Sequence, residues 1–183
     1  MKKNLKGLFI MGICACLCVG YFFYLNHRQE EKAKAPTETD EVISRNLENS
    51  YPSTPREVIK FYNRILSCIY SGESTDKEIK ALGNQARILY DKEVLAETSV
   101  EEQIQNLQKE LAEYEEDDKK IISVNISASQ DVERREINGE ECAYVESSYY
   151  IKGKETAGRV AQTYILRKDE QGRWKILGCY KPQ

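Results

Sequence analysis

The sequence predicts an α+β domain outside a membrane anchor: an N-terminal transmembrane helix, then three helices packed on a curved four-stranded antiparallel sheet. Three observations carry this. Leu8–Leu25 (LFIMGICACLCVGYFFYL) runs eighteen residues without charge or proline, capped amphipathic repeats begin at Thr54, and beyond Lys120 the apolar spacing changes from helical to alternating.

Eighteen residues lie near the short end of the roughly 17 to 25 that cross a bilayer as a helix. Lys2, Lys3 and Lys6 precede the segment and no acid occurs before Glu30, so the positive-inside rule puts the N-terminus in the cytoplasm and the rest outside. A cleaved signal peptide would need a shorter apolar region and a small-x-small site followed by polar residues, and no such site occurs before Asn26. Ile13-Cys14-Ala15-Cys16 resembles a lipidation motif at Cys16, yet the chain stays apolar through Leu25, where a lipoprotein turns polar. In a helix Cys14 and Cys18 share a face while Cys16 lies nearly opposite, which prevents closure around one metal ion. Gly12, Cys16 and Gly20 form a small-residue stripe along which two anchors can pack. The remaining cysteines, Cys68, Cys142 and Cys179, are scattered singly and form no complete disulfide framework; whether Cys142 and Cys179 pair is left open.

The chain divides into a cytoplasmic tip and anchor over residues 1–28, a polar tether over 29–53 and an extracytoplasmic domain over 54–183. Four of the 27 basic residues lie at or before Arg28, leaving 23 against 30 acids, so the exterior part carries about −7. That balance argues against nucleic acid as partner and against docking on an anionic lipid surface.

Thr54-Pro55-Arg56-Glu57 supplies a hydroxyl cap, proline at the first helical position and a glutamate three residues after the cap. Val58, Phe61, Tyr62, Ile65, Leu66 and Ile69 then recur at helical spacing until Gly72 ends the run. Thr75 with Glu78 caps a second helix directing Ile79, Leu82, Ala86 and Leu89 inward, followed by a short extra turn through Val94 and Leu95. Ser99 with Glu102 caps a third, whose narrow stripe of Ile104, Leu107, Leu111 and Tyr114 assigns it to the domain's edge. Ile122, Val124, Ile126 and Ala128 alternate with polar residues, as in a strand with one wet face. Asn138-Gly139 signals a hairpin. Strands follow through CAYVESSYYI and RVAQTYILR, and Asp169–Gly172 turns into a last strand that is apolar on both faces, expected to lie inside the sheet.

This order, closing on DEQGRWKI, resembles the cone-shaped nuclear transport factor two-like (cystatin-like) superfamily. TPREVIKFYNRIL, ALGNQARILYDKEVL and LRKDEQGRWKILG together resemble an uncharacterised domain family of Gram-positive single-pass membrane proteins. The resemblance covers Tyr51 to Tyr180 and implies a single-pass protein with a cone outside, but brings no functional residues with it. Catalytic members of the superfamily use an Asp–His pair, or a tyrosine and an acid, inside the cone. Here the sole histidine is His27, at the membrane edge, so no catalytic residue, metal ligand or cofactor is assigned. The acidic run Glu113–Asp118 lacks the alternating ligands and glycine of a calcium loop.

The candidate ligand-binding residues are Tyr144, Glu146, Tyr150 and Tyr164. The first three alternate onto one strand face, and aromatic residues anchor binding energy at interfaces. The expected function is a membrane-anchored extracytoplasmic binding or scaffold module, its partners being the membrane through Leu8–Leu25 and a protein, a peptide or a second copy of the chain as a homodimer. The alternative is an anchored enzyme acting on a small substrate in the cone. Scaffold subunits of type IV secretion machines join one membrane helix to such a domain, a fold-level analogy.

Overall fold

Twelve residues before the cap at Thr54, at Val42, the chain already contributes to the core. A computed structural model describes residues 35–182 together with Val19 and Tyr21. Apart from those two, the expected anchor lies outside the described residues, and among the described residues no helix is long and apolar enough to cross a membrane.

The compact unit spans Glu38–Gln183, so residues 38–53 of the segment expected as tether belong to it, while residues 29–34 lie outside the described residues. Glu38–Ser44 forms helix α1, with Val42 and the following Leu47 buried. Arg64 pairs with Glu38 at 2.6 Å and Glu41 at 3.2 Å. The Gln85 amide donates to the carbonyls of Ile43 and Arg45, meeting the end of α1. A polar helix with two buried aliphatic anchors reads as linker in sequence because its polar residues find partners only in the fold.

Helix α2 (Pro55–Ile69) starts as expected. The Thr54 hydroxyl accepts from the Glu57 amide, while the Glu57 carboxylate reaches back to Ser53. Helix α3 (Asp76–Leu89) carries a complete capping box between Thr75 and Glu78, α4 (Lys92–Glu97) is the short extra turn, and α5 (Val100–Glu116) starts at Ser99 with no fully buried residue. Helix α5 approaches α3 at Gly83, where an added Cβ would lie 2.8 Å from Ile104 Cδ1.

The sheet has five antiparallel strands rather than four: β1 (Lys120–Ile126), β2 (Glu133–Ile137), β3 (Glu140–Lys152), β4 (Ala157–Lys168) and β5 (Trp174–Tyr180). The order is β1-β3-β4-β5, with β2 pairing the other end of β3. Strand β2 (ERREI) is exposed throughout, so it has no apolar alternation by which to recognise it. The β2–β3 hairpin turns at Asn138 (φ 54) and Gly139 (φ 82), the positive dihedrals of a tight primed turn.

Two bulges alter the expected strand faces. One falls between Ile121 and Ser123, so Ile122 is 57% exposed and Ile121, Val124 and Ile126 turn inward. The other lies opposite Ile165/Leu166: Leu166 pairs with Ile176 and Ile165 with Gly178, leaving Leu177 as the extra residue. Cys179, paired with Tyr164, consequently shares a face with Trp174 and Ile176, while Gly178 and Tyr180 take the other. Strand β5 is an edge strand, not an interior one. It resembled an interior strand because its free edge is covered by backbone: Tyr90 bridges Ile176, and the Asp91 amide donates to the Ile176 carbonyl at 2.8 Å.

Helix α2 packs against β1, β3 and β5. Between α2, α3 and the sheet lies the core of Val58, Ile59, Phe61, Ile65, Leu82, Leu89, Val145, Leu166 and Trp174. Beside α4, buried Asp91 caps the helix and accepts from Arg167 at 2.7 Å, and Arg167 also reaches Glu93 and Glu140, each at 2.8 Å.

Candidate functional site

The register of β3 on β4 divides the four residues expected to form one site. Tyr144, Glu146 and Tyr150 occupy the outer face of β3, away from α2, and Tyr150 is 40% exposed. Tyr144 lies opposite Ile165, and Tyr150 opposite Arg159; Arg135 stacks 4.9 Å from the Tyr144 ring. Tyr164 pairs with Val145, which puts it on the helix-facing side, only 3% exposed. Alternation along one strand relates residues within it, but the relative parity of two strands depends on their register.

On that inner side Tyr164 joins a polar cluster under α2. The Tyr149 hydroxyl donates to Asn63 Oδ1 at 2.6 Å and lies 2.6 Å from the Tyr164 hydroxyl, which meets the Gln162 side-chain amide at 2.8 Å. Asn63 Nδ2 donates to Ser147 Oγ at 3.0 Å. The Tyr62 and Tyr90 hydroxyls are 3.1 Å apart, and the Tyr62 ring meets Tyr164 edge-on at 5.7 Å. Across from them Tyr70 and Tyr114 lie 4.8 Å apart.

Tyr62, Tyr70, Tyr114, Tyr149 and Tyr164 border a cavity of about 390 Å³ between the inner face of the sheet, α2 and α5. A neighbouring cavity of about 310 Å³ extends toward α3, sharing Tyr62, Leu66, Tyr70 and Glu110 as walls. Among the described residues, Glu110 is the one acid lining the larger cavity and Lys181 the one base, both exposed at the rim.

Burial raises the Tyr62, Tyr90 and Tyr164 phenols, and pushes Tyr149 up to about 12 against the lowering hydrogen bonds from Tyr164 and Ser147. Burial and then the nearby Glu110 charge raise Tyr70. The wall is therefore neutral phenol at physiological pH, with its innermost hydroxyls engaged with one another and with amides. Cys179 is exposed at the rim, and partial desolvation there still lifts its thiol above the ordinary value, which leaves it a thiol rather than a nucleophilic thiolate. Cys68, Cys142 and Cys179 are free thiols, Cys142 facing outward beside Arg167 and Cys179 inward beside Tyr164. Among the described residues no group of three His, Cys, Asp or Glu side chains is placed to hold a metal ion.

Sequence reasoning placed Tyr62 and Tyr114 on helical stripes and Tyr149 among the sheet tyrosines, but did not bring them together around a cavity. Asn63, a polar residue in the middle of an apolar helix, was the available signal: a buried amide needs partners.

An α+β domain with a tyrosine-walled cavity on the helix-facing side of its sheet defines the class. The chain belongs to the family described as Domain of unknown function (DUF6715), whose model matches residues 1–179. None of the curated proteins compared with the chain matches it.

Proposed function

We propose that the protein is a membrane-anchored extracytoplasmic binding module of nuclear transport factor two-like, cystatin-like architecture, whose ligand occupies the tyrosine-walled cavity. The cavity carries this reading: it is large enough for a small ligand, and its inner wall presents ring faces and satisfied hydroxyls rather than an activated base or nucleophile. The uncharged stretch Leu8–Leu25 behind Lys2, Lys3 and Lys6 supports the anchor, with the domain outside the cell membrane. The outer sheet face bearing Tyr144, Glu146 and Tyr150 is the surface for a protein or peptide partner, or for a second copy of the chain. A second reading, an anchored enzyme with a small substrate in the cavity, is favoured by Glu110 beside the Tyr70 phenol.

The test is a small-molecule screen by ligand-observed NMR on the full chain in detergent. Binders should lose affinity in Val160→Trp, which fills the cavity from β4, while the melting temperature of that variant confirms its fold. Binders that keep their affinity in the filled variant would move the site elsewhere.

A further inference from the structure

Several aromatic rings of the domain that do not line the cavity carry a stacked cation. Among the described residues, cations stack on Tyr51, Phe61, Tyr144 and Trp174: Arg173 and Lys175 on the first, Arg45 on the second, Arg135 on the third, and Arg134 and Lys168 on the fourth. Among the described residues no such cation lies over Tyr62, Tyr70, Tyr114, Tyr149 or Tyr164, five rings that line one cavity, nor over Tyr90, Tyr150 or Tyr180, which do not line it. A ring face carries negative quadrupole charge and attracts a cation held within about 6 Å, most of all where water is excluded.

The hydrogen-bonding capacity of the wall agrees. The Tyr149, Tyr164 and Asn63 groups are engaged with one another, with Ser147 and with Gln162, so the inner wall has little left for a ligand rich in donors and acceptors. Glu110 adds negative charge where the two cavities meet, next to Tyr70 and Tyr114. Lys181 is the opposing charge, on an exposed side chain beyond the end of β5.

We propose that the cavity takes a small organic ammonium compound, its cationic group enclosed by the rings of Tyr62, Tyr70, Tyr114, Tyr149 and Tyr164 and balanced by Glu110. This rests on the reading of the cavity as the binding site and adds the charge of what binds. Tyrosine rings suit an alkylated ammonium better than a bare one, because alkyl groups spread the charge and give up hydration more readily on entering a dry site. An anionic ligand would face these rings and Glu110 with only Lys181 to receive it.

Calorimetric titration of the full chain in detergent tests this with three probes of similar bulk: choline, the uncharged isostere in which carbon replaces its quaternary nitrogen, and pivalate. Choline should bind about tenfold or more tightly than the isostere, and pivalate should not bind. Glu110→Gln should weaken choline several-fold and Lys181→Ala should strengthen it, both at unchanged melting temperature, since both side chains are exposed. Equal binding of choline and isostere overturns the ammonium assignment and leaves the cavity as a site for apolar ligands. Preference for pivalate overturns it in favour of Lys181. If none of the three binds, the ammonium assignment fails, and the broader reading is decided separately by the screen against the filled variant.

Discussion

Asn63 and Tyr149 join helix α2 to the centre of the sheet through a 2.6 Å hydrogen bond that is buried at both ends. The same amide holds Ser147 through its nitrogen, so one helix residue satisfies two hydroxyls on adjacent inward positions of β3. Asn63→Leu fills similar space and removes a partner from each: Ser147 loses its amide donor, while Tyr149 keeps the Tyr164 hydroxyl. Each unsatisfied buried group costs about 1 to 3 kcal/mol, and urea unfolding should show a fall of that order or somewhat more. An unchanged midpoint would mean that the two hydroxyls find other partners.

Alkaline pH should unfold the domain through its tyrosines. A phenol whose folded pKa is raised favours the fold fully below its unfolded value of about 10 and loses that contribution as pH climbs through the folded value. Tyr149 is pushed up to about 12, and burial raises Tyr62, Tyr90 and Tyr164 as well. Tyrosinate absorbance, followed with circular dichroism, should therefore show a late group of phenols ionising together with loss of structure, in the window from about 10 to 12. Ionisation of every phenol at ordinary pH with the fold intact would contradict the packing of the cluster.

Acid pH should act through Asp91. Burial opposes its charge, but hydrogen bonds from Arg167 and the Glu93 amide outweigh burial and hold the carboxyl below its ordinary value. Its stabilising contribution is present above about pH 4 and is lost as pH falls through the depressed folded value. Arg167→Met leaves Asp91 buried without its cation, at a cost of about 3 to 5 kcal/mol at neutral pH. The variant should also lose part of the acid-side slope in urea unfolding as a function of pH. A slope identical to the native one would exclude Asp91 as its source.

Trp174 is 3% exposed and lies in the core cluster, with the Tyr51 hydroxyl donating to its carbonyl at 2.7 Å. Truncation to alanine should cost about 3 to 5 kcal/mol. As the sole tryptophan, it reports directly: native emission should be blue-shifted and move red on unfolding. Red emission from the native chain would put the indole in water and contradict the fold at β5.

A chain truncated to begin at Thr54 lacks Val42, Leu47 and the Tyr51 bond to β5, and should be far less stable than one beginning at Glu38. Burying one such aliphatic side chain contributes about 1.5 to 3 kcal/mol. Equal cooperative unfolding of the two chains would restore residues 38–53 to the role of tether.

The helices were legible because their signals are local. Thr54, Thr75 and Ser99 each sit one turn before an amide they cap, and the apolar spacing after them has one period. The strands were legible in number only where their faces alternate. Strand β2 is stabilised by pairing rather than burial, and the bulges at Ile122 and Leu177 invert the pattern within a single strand, which a fixed period of two cannot anticipate. Helix α1 escaped because two aliphatic residues in a polar run carry little periodicity. The cavity escaped for a different reason: its walls come from α2, α5, β1, β3, β4 and β5, and which rings meet is set by register and helix placement.

The coverage of β5 by Tyr90 and Asp91 has a counterpart across the sheet. There the edge of β3 is shared by two short strands, β1 and β2, separated by residues 127–132 with the short 3-10 turn Ser129–Asp131 between them. One border thus has its exposed amides and carbonyls partly occupied, and the other is broken, with charged ERREI on one segment and a bulge in the next. A long unpaired border invites another chain to add a strand. Among the described residues this sheet offers none, so molecules crowded side by side should resist joining edge to edge into fibrils.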